Sequence, residues 1–157
     1  MVAATDAKAD VKPTEGGSPV GVRFCGLELD SPIVLLSGCV GFGEEYTRVE
    51  GFSNRDVGAV VLKGTTPEPR LGNPPHRVWE TPMGMLNAIG LQNPGVAKVV
   101  DEILPTLDFD ETRFFANVCG STIDDYAEVT RRFDDSPIDA IEINISCPNI
   151  KEGGVAF

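Results

Sequence analysis

The sequence predicts an α/β fold organised on a parallel sheet, and three observations lead there. Four short apolar runs, Ile33–Leu36, Ala59–Leu62, Phe114–Ala116 and Ala140–Ile143, have the continuous hydrophobicity of strands buried on both faces. Segments with helical periodicity lie between them. Each run also ends in a polar residue at its C-terminal side: Ser37, Lys63, Asn117 and Asn144.

Taken in order, residues 1–21 are polar and rich in small residues, with no apolar core of a secretory signal, and are expected to be a disordered leader. Val22–Leu29 alternates around Gly26 and predicts a small hairpin. Glu44–Val49 carries a weak helical pattern. Thr65–Gln92 holds too many Pro and Gly residues for regular structure, and long loops in compact domains tend to be functional. Val96, Val99, Val100, Ile103, Leu104 and Leu107 form one apolar stripe at helical spacing. Ser121-Thr122-Ile123-Asp124 can cap a second helix whose inward face would be Ile123, Tyr126, Val129 and Phe133. The order is thus a hairpin followed by β-α-β-loop-α-β-α-β, which predicts a parallel sheet with right-handed crossovers.

Two architectures accommodate that order. Four strands can open a doubly wound sheet, which the length favours. They can also form half of a (β/α)8 barrel, whose usual size is about 250 residues. The ring of polar residues at the strand ends favours the barrel, because barrel enzymes build their sites on that face.

Composition narrows the function. With 157 residues the chain can bury a real core, and its net charge of −11 argues against a nucleic-acid partner. No apolar stretch approaches the roughly 18 residues of a membrane span. The four cysteines, Cys25, Cys39, Cys119 and Cys147, form no CxxC pair, and the lone histidine, His76, lies in a Pro-rich loop. A structural zinc site or a Ser-His-Asp triad is therefore poorly supported, and reduced thiols in a cytoplasmic protein fit best.

The candidate chemistry concentrates in a few segments. In Asn144-Ile145-Ser146-Cys147-Pro148-Asn149 a cysteine sits between two asparagines directly after a strand. It can be inert packing, or a base that removes a carbon-bound proton, its thiolate supported by local dipoles or cations. Lys63 can snorkel from the sheet rim, or act as a fixed cation stabilising developing negative charge. Asn87-Ala88-Ile89-Gly90-Leu91-Gln92-Asn93-Pro94-Gly95 can be a plain turn before a helix, or a loop whose glycines let backbone amides reach a ligand. Ser37-Gly38-Cys39-Val40-Gly41-Phe42-Gly43 is glycine-rich but matches neither GxxxxGK[ST] nor GxGxxG.

These segments, with Lys63-Gly64-Thr65-Thr66, Gly72-Asn73-Pro74 and Asn117-Val118, occur in an order that resembles dihydroorotate dehydrogenase, from about Val22 to the last residue. Gly90–Gly95 and Lys151-Glu152-Gly153-Gly154 look most like the NAD-linked class 1B, and Cys147 argues against the membrane-bound class, which has serine there. The resemblance implies a TIM-barrel, (β/α)8 fold of which residues 22–157 supply an N-terminal hairpin and roughly the first four β/α units. It implies flavin mononucleotide held by Ser37, Lys63, Gly64, Asn117 and Asn144. Dihydroorotate or orotate would be held by Lys63, Asn87, Ala88, Ile89, Gly90, Leu91, Asn144 and Asn149. Cys147 would take the proton from ring carbon 5 while hydride leaves carbon 6. Electrons would then pass to NAD through a separate subunit carrying FAD and an iron–sulphur cluster, on a homodimeric core within a heterotetramer.

The family's barrel is about twice this length, so the chain is expected to be part of a longer enzyme, with little activity alone. Cys119 stands where the resemblance leads one to expect a smaller residue, away from the proposed chemistry. Two rival expectations remain: a flavin-barrel enzyme of the dihydropyrimidine dehydrogenase kind, preferring uracil to orotate, and a half-barrel that binds no flavin and only associates with a partner.

Overall fold

The computed structural model describes residues 18–147. Most of the predicted leader, and Pro148 and Asn149 of the cysteine segment, lie outside them. The chain enters through a turn in which Gly21 N donates to Ser18 O (2.9 Å). It then forms the predicted hairpin, β1 (Val22–Phe24) against β2 (Leu27–Leu29), with Cys25 and Gly26 both at positive φ in its turn.

Four parallel strands follow: β3 (Val34–Leu35), β4 (Ala59–Val61), β7 (Arg113–Val118) and β8 (Ala140–Ile143). They stand side by side in chain order, β3-β4-β7-β8. A doubly wound sheet reverses direction at a switch point, whereas a barrel adds each strand beside the last. The strand order therefore selects the barrel-like alternative.

The period of two along each strand separates two cores. Val60, Leu62, Phe114, Ala116 and Val118 point to the helical side, where they meet Val96, Val99, Leu104, Val129 and Phe133. Ala59, Val61 and Phe115 point to the other side, with Leu29 of the hairpin beneath them. The Phe24 ring stacks on Phe115 at 6.4 Å, and Arg113 Nε donates to the Glu28 carbonyl (3.4 Å). The hairpin thus closes the N-terminal end of the inner face.

The apolar stripe from Val96 to Leu107 packs as its spacing predicts, but not as one α-helix. A single α turn, α1 (Val96–Lys98), widens into a π segment at Val99–Ile103 and tightens into a 3-10 turn at Leu104–Thr106. Pro105 has no N–H to continue an α ladder, and its ring crowds the preceding turn. The second helix, α2 (Ile123–Asp134), starts with a capping box: Thr122 Oγ1 accepts from Asp125 N (3.1 Å), and the Asp125 carboxylate accepts from Thr122 N (3.1 Å) and Ser121 N (2.7 Å). Those two backbone donors, led by Ser121, hold the Asp125 carboxyl below its ordinary range.

Three expectations are corrected. Ile123 is not inward-facing but 87% exposed. At about 100° per residue it lies roughly 90° off the stripe centred on Tyr126, Val129 and Phe133. Glu44–Val49 makes only a 3-10 turn, Tyr46–Arg48. The left-handed Gly43 and Gly51 bound a segment too short to offset the cost of nucleating a helix. Thr65–Gln92 is not irregular throughout, because β5 (Val78–Thr81) and β6 (Gly84–Asn87) pair as an antiparallel hairpin. Trp79, Met83, Met85 and Leu86 are exposed on it, so no buried pattern announced it.

Candidate functional site

The inner face changes character from one end to the other. Ala59, Phe115 and Ala140 are its apolar rows; the same period of two then carries Lys63, Asn117, Glu142 and Asn144 to the C-terminal rim. There they border an open cavity of about 670 Å³, also walled by Ser37, Asn87, Ile89, Gly90, Leu91 and Cys147. Nine of the residues singled out from sequence therefore converge on one space: Ser37, Lys63, Asn87, Ile89, Gly90, Leu91, Asn117, Asn144 and Cys147. Gly64 and Ala88 do not wall it, and Asn149 lies outside the described residues.

Each wall has a local cause. Lys63 follows directly on the buried run Ala59–Leu62, its N–H bonded to Gly41 O (2.7 Å). Its ammonium lies over the glycine turn after β3, 3.6 Å from where a Cβ on Gly38 would stand. Gly64 is packed behind the wall. A Cβ there would come within 2.8 Å of Asn117 Oδ1, 2.8 Å of Cys119 Sγ and 2.9 Å of Leu91 Cδ1.

The loop after β6 is pinned by Asn73, whose N–H donates to Ile89 O (2.9 Å) and whose Nδ2 donates to Ala88 O (2.9 Å). Gly90 sits at φ +78° with Asn73 atoms 2.7 Å from its missing Cβ, so only glycine fits. Leu91 follows at φ +56°, a left-handed position that a leucine rarely takes. Asn93 holds it. Its buried amide donates to Leu91 O (3.0 Å) and Thr66 Oγ1 (2.9 Å), and its Oδ1 accepts from Thr66 N (3.2 Å) and Gly95 N (3.0 Å).

The opposite wall is a line of carboxamides. Asn144 Nδ2 donates to Asn117 Oδ1 (3.1 Å), and Asn144 Oδ1 accepts from Ser146 N (3.1 Å), next to Cys147. Tyr126 of α2 donates its hydroxyl to the Asn144 carbonyl, and its burial raises its own titration.

Two participants were not foreseen. Glu142 accepts from Asn117 Nδ2 and walls the cavity; its signal was its place two residues before Asn144 on a strand, hence on the same face. Cys119 is not remote from the site. Its thiol donates to Asn117 Oδ1 (3.3 Å) and faces Gly64, and burial, reinforced by Cys147, pushes it up to about 12.

Among the described residues the arrangement offers a ligand the Lys63 ammonium, carboxamides with both hydrogen-bond senses, glycine-lined backbone, and apolar flanks from Leu36, Ile89, Leu91 and Ile143. Those features suit a flat heteroaromatic ring with polar edges, in a volume usual for cofactor sites. A parallel sheet grown in chain order, with such a cavity at the strand C-termini, defines the class: part of a β/α barrel.

Comparison with known proteins is specific. The chain belongs to the dihydroorotate dehydrogenase family, whose profile ("Dihydroorotate dehydrogenase") matches residues 20–157. It is 52% identical over 139 residues to the "Dihydroorotate dehydrogenase B (NAD(+)), catalytic subunit" of Geobacillus kaustophilus, covering 88% of this chain and 44% of that protein. It is 53% identical over 139 residues to the protein of the same name from Listeria welshimeri, covering 88% of this chain and 45% of that one. Among solved structures, a dihydroorotate dehydrogenase of Eimeria tenella in complex with ferulenol superimposes with a TM-score of 0.64 at 25% identity, over 88% of this chain and 40% of that one. The chain thus spans less than half the length of the relatives it matches, and resembles the N-terminal part of a class 1B catalytic subunit.

Proposed function

We propose that this chain supplies the flavin- and substrate-facing wall of a class 1B dihydroorotate dehydrogenase, which oxidises dihydroorotate to orotate in pyrimidine synthesis. The observation that carries the reading is the convergence of Ser37, Lys63, Asn87, Leu91, Asn117, Asn144 and Cys147 on one cavity at the strand C-termini. Flavin mononucleotide, when bound, supplies the hydride acceptor. Ser37, Lys63, Asn117 and Asn144 would hold it from the rim, and Gly64 gives the wall behind them its close packing.

The substrate lies against Asn87, Ile89, Gly90 and Leu91 on one side and Asn144 on the other. Its carboxylate and ring amides match an ammonium and carboxamides in charge and hydrogen-bond sense. Cys147 takes the proton from ring carbon 5, hydride leaves carbon 6, and the ring gains a carbon–carbon double bond. Lys63 stabilises the negative charge that builds as the proton departs. A separate subunit carrying FAD and an iron–sulphur cluster would supply the route by which the electrons reach NAD. That assembly is a heterotetramer built on a homodimeric core, working in the cytoplasm, where free thiols such as these persist.

The test is to purify the protein with excess flavin mononucleotide and titrate orotate while following the flavin absorption band. A band that shifts with orotate and not with uracil is the expected result. A response to uracil alone would assign the site to another pyrimidine, and protein that binds no flavin would overturn the enzyme reading for this chain.

A further inference from the structure

A carboxamide presents two ends of nearly equal size, so its neighbours decide which end faces where. Asn117 is 2% exposed, and its neighbours decide completely. Its Oδ1 receives Asn144 Nδ2 (3.1 Å) and the Cys119 thiol (3.3 Å), and its Nδ2 donates to the Glu142 carboxylate. Turned over, it would set an amide nitrogen against an amide nitrogen and an oxygen against a carboxylate. The same polarity runs on: with Asn144 Nδ2 committed to Asn117, Asn144 Oδ1 faces the other way and accepts Ser146 N (3.1 Å). Hydrogen bonds therefore point in one direction, from the Ser146 N–H beside Cys147, through Asn144 and Asn117, to Glu142. The last acceptor is a side-chain carboxylate oxygen, and acceptors of that kind anchor such chains most firmly. Strand register puts it there, because Asn117 and Glu142 are direct partners across β7 and β8.

We propose that Glu142 is a positioning residue of this site: it fixes the polarity of the Asn117–Asn144 pair, and so which hydrogen-bond sense Asn144, held by Asn117, shows to a bound pyrimidine. The proposal rests on the reading of the site as a flavin and orotate site.

The experiment compares orotate affinity, read from the flavin band, and the kcat-against-KM split in the flavin-loaded enzyme and its variants. Glu142→Leu keeps the bulk and removes the acceptor; about a tenfold to hundredfold loss of orotate affinity is expected in the flavin-loaded fraction. Glu142→Gln retains an acceptor oxygen and is expected to restore most of that loss. Asn117→Asp, which opposes two carboxylates, is expected to lose the orotate response. Adding Glu142→Gln to it should recover a large part, since the new carboxamide on β8 would then donate to the new carboxylate on β7. Glu142→Leu with unaltered orotate affinity, or a double variant no better than Asn117→Asp alone, would overturn the proposal. If the unsubstituted protein binds flavin but ignores orotate, the site reading fails instead.

Discussion

Replacing Gly64 by alanine tests how tightly the rear of the site is packed. The added Cβ would stand 2.8 Å from Asn117 Oδ1, 2.8 Å from Cys119 Sγ and 2.9 Å from Leu91 Cδ1, all closer than a real Cβ tolerates. None of the three can simply swing away. Asn117 is held by Asn144, Cys119 and Glu142; Cys119 is a short side chain 3% exposed; Leu91 is fixed in its left-handed turn by Asn93. Overpacking of this kind costs about 1–3 kcal/mol, which lowers the folded-to-unfolded ratio about 5- to 150-fold. Cys119→Ala alone should cost only about 1 kcal/mol, chiefly the thiol's bond to Asn117. In the Gly64→Ala background it removes one of the three obstructions, so the double variant should be more stable than the sum of the singles by about 0.5–2 kcal/mol. Urea unfolding followed by circular dichroism gives the three stabilities, and the orotate-induced flavin shift reports whether the wall has moved. Additivity within about 0.3 kcal/mol, or a Gly64→Ala protein with the parent's stability, would refute the packing described.

Asn93→Ala should cost about 3 kcal/mol, since it leaves the buried Thr66 and Gly95 N–H groups without their Oδ1 partner; it should also weaken orotate binding by releasing Leu91, and equal orotate affinity in the variant would separate the latch from the site. Cys119 carries a pH signature. Its folded value of about 12 lies above the ordinary thiol range, so the folded state binds the proton more tightly, the stabilisation is full below about pH 9, and it is lost as the pH rises from there toward 12. The alkaline slope of stability should therefore be shallower in Cys119→Ala, by up to about 1.4 kcal/mol per pH unit, in unfolding curves taken between about pH 9 and 11. A slope unchanged by the substitution would mean that the thiol does not titrate with folding.

How much of this was legible in the sequence depended on whether a segment is buried by the sheet. Ala59, Val60, Val61 and Leu62 are each at most 2% exposed, so an uninterrupted apolar run was an undistorted record of a central parallel strand. The limits of β8 were likewise visible. The β5–β6 hairpin was not, because both its faces are largely exposed and its eight strand residues were outvoted by the prolines and glycines around them. Ile123 misled for a related reason: at the first position of a helix it counts toward an apolar pattern without having to face anything. Glu142 was hidden by being counted within the apolar run Ala140-Ile141-Glu142-Ile143, where its carboxylate is in fact an exposed interruption.

The same pattern, read by face rather than by run, turns that interruption into information. Inner-face positions on β4 are Ala59, Val61 and, just past its end, Lys63; on β7 they are Arg113, Phe115 and Asn117; on β8 they are Ala140, Glu142 and, just past its end, Asn144. Apolar rows meet the β1–β2 hairpin, and polar rows meet the cavity. Moving any one strand by a single residue would exchange its faces, burying Lys63, Asn117 or Asn144 among the helices and emptying the rim. The apolar contacts of Val60, Leu62, Phe114 and Val118 with the helices therefore also set which polar side chains reach the cavity. Packing that is nowhere in contact with a ligand fixes the register, and the register assembles the candidate site.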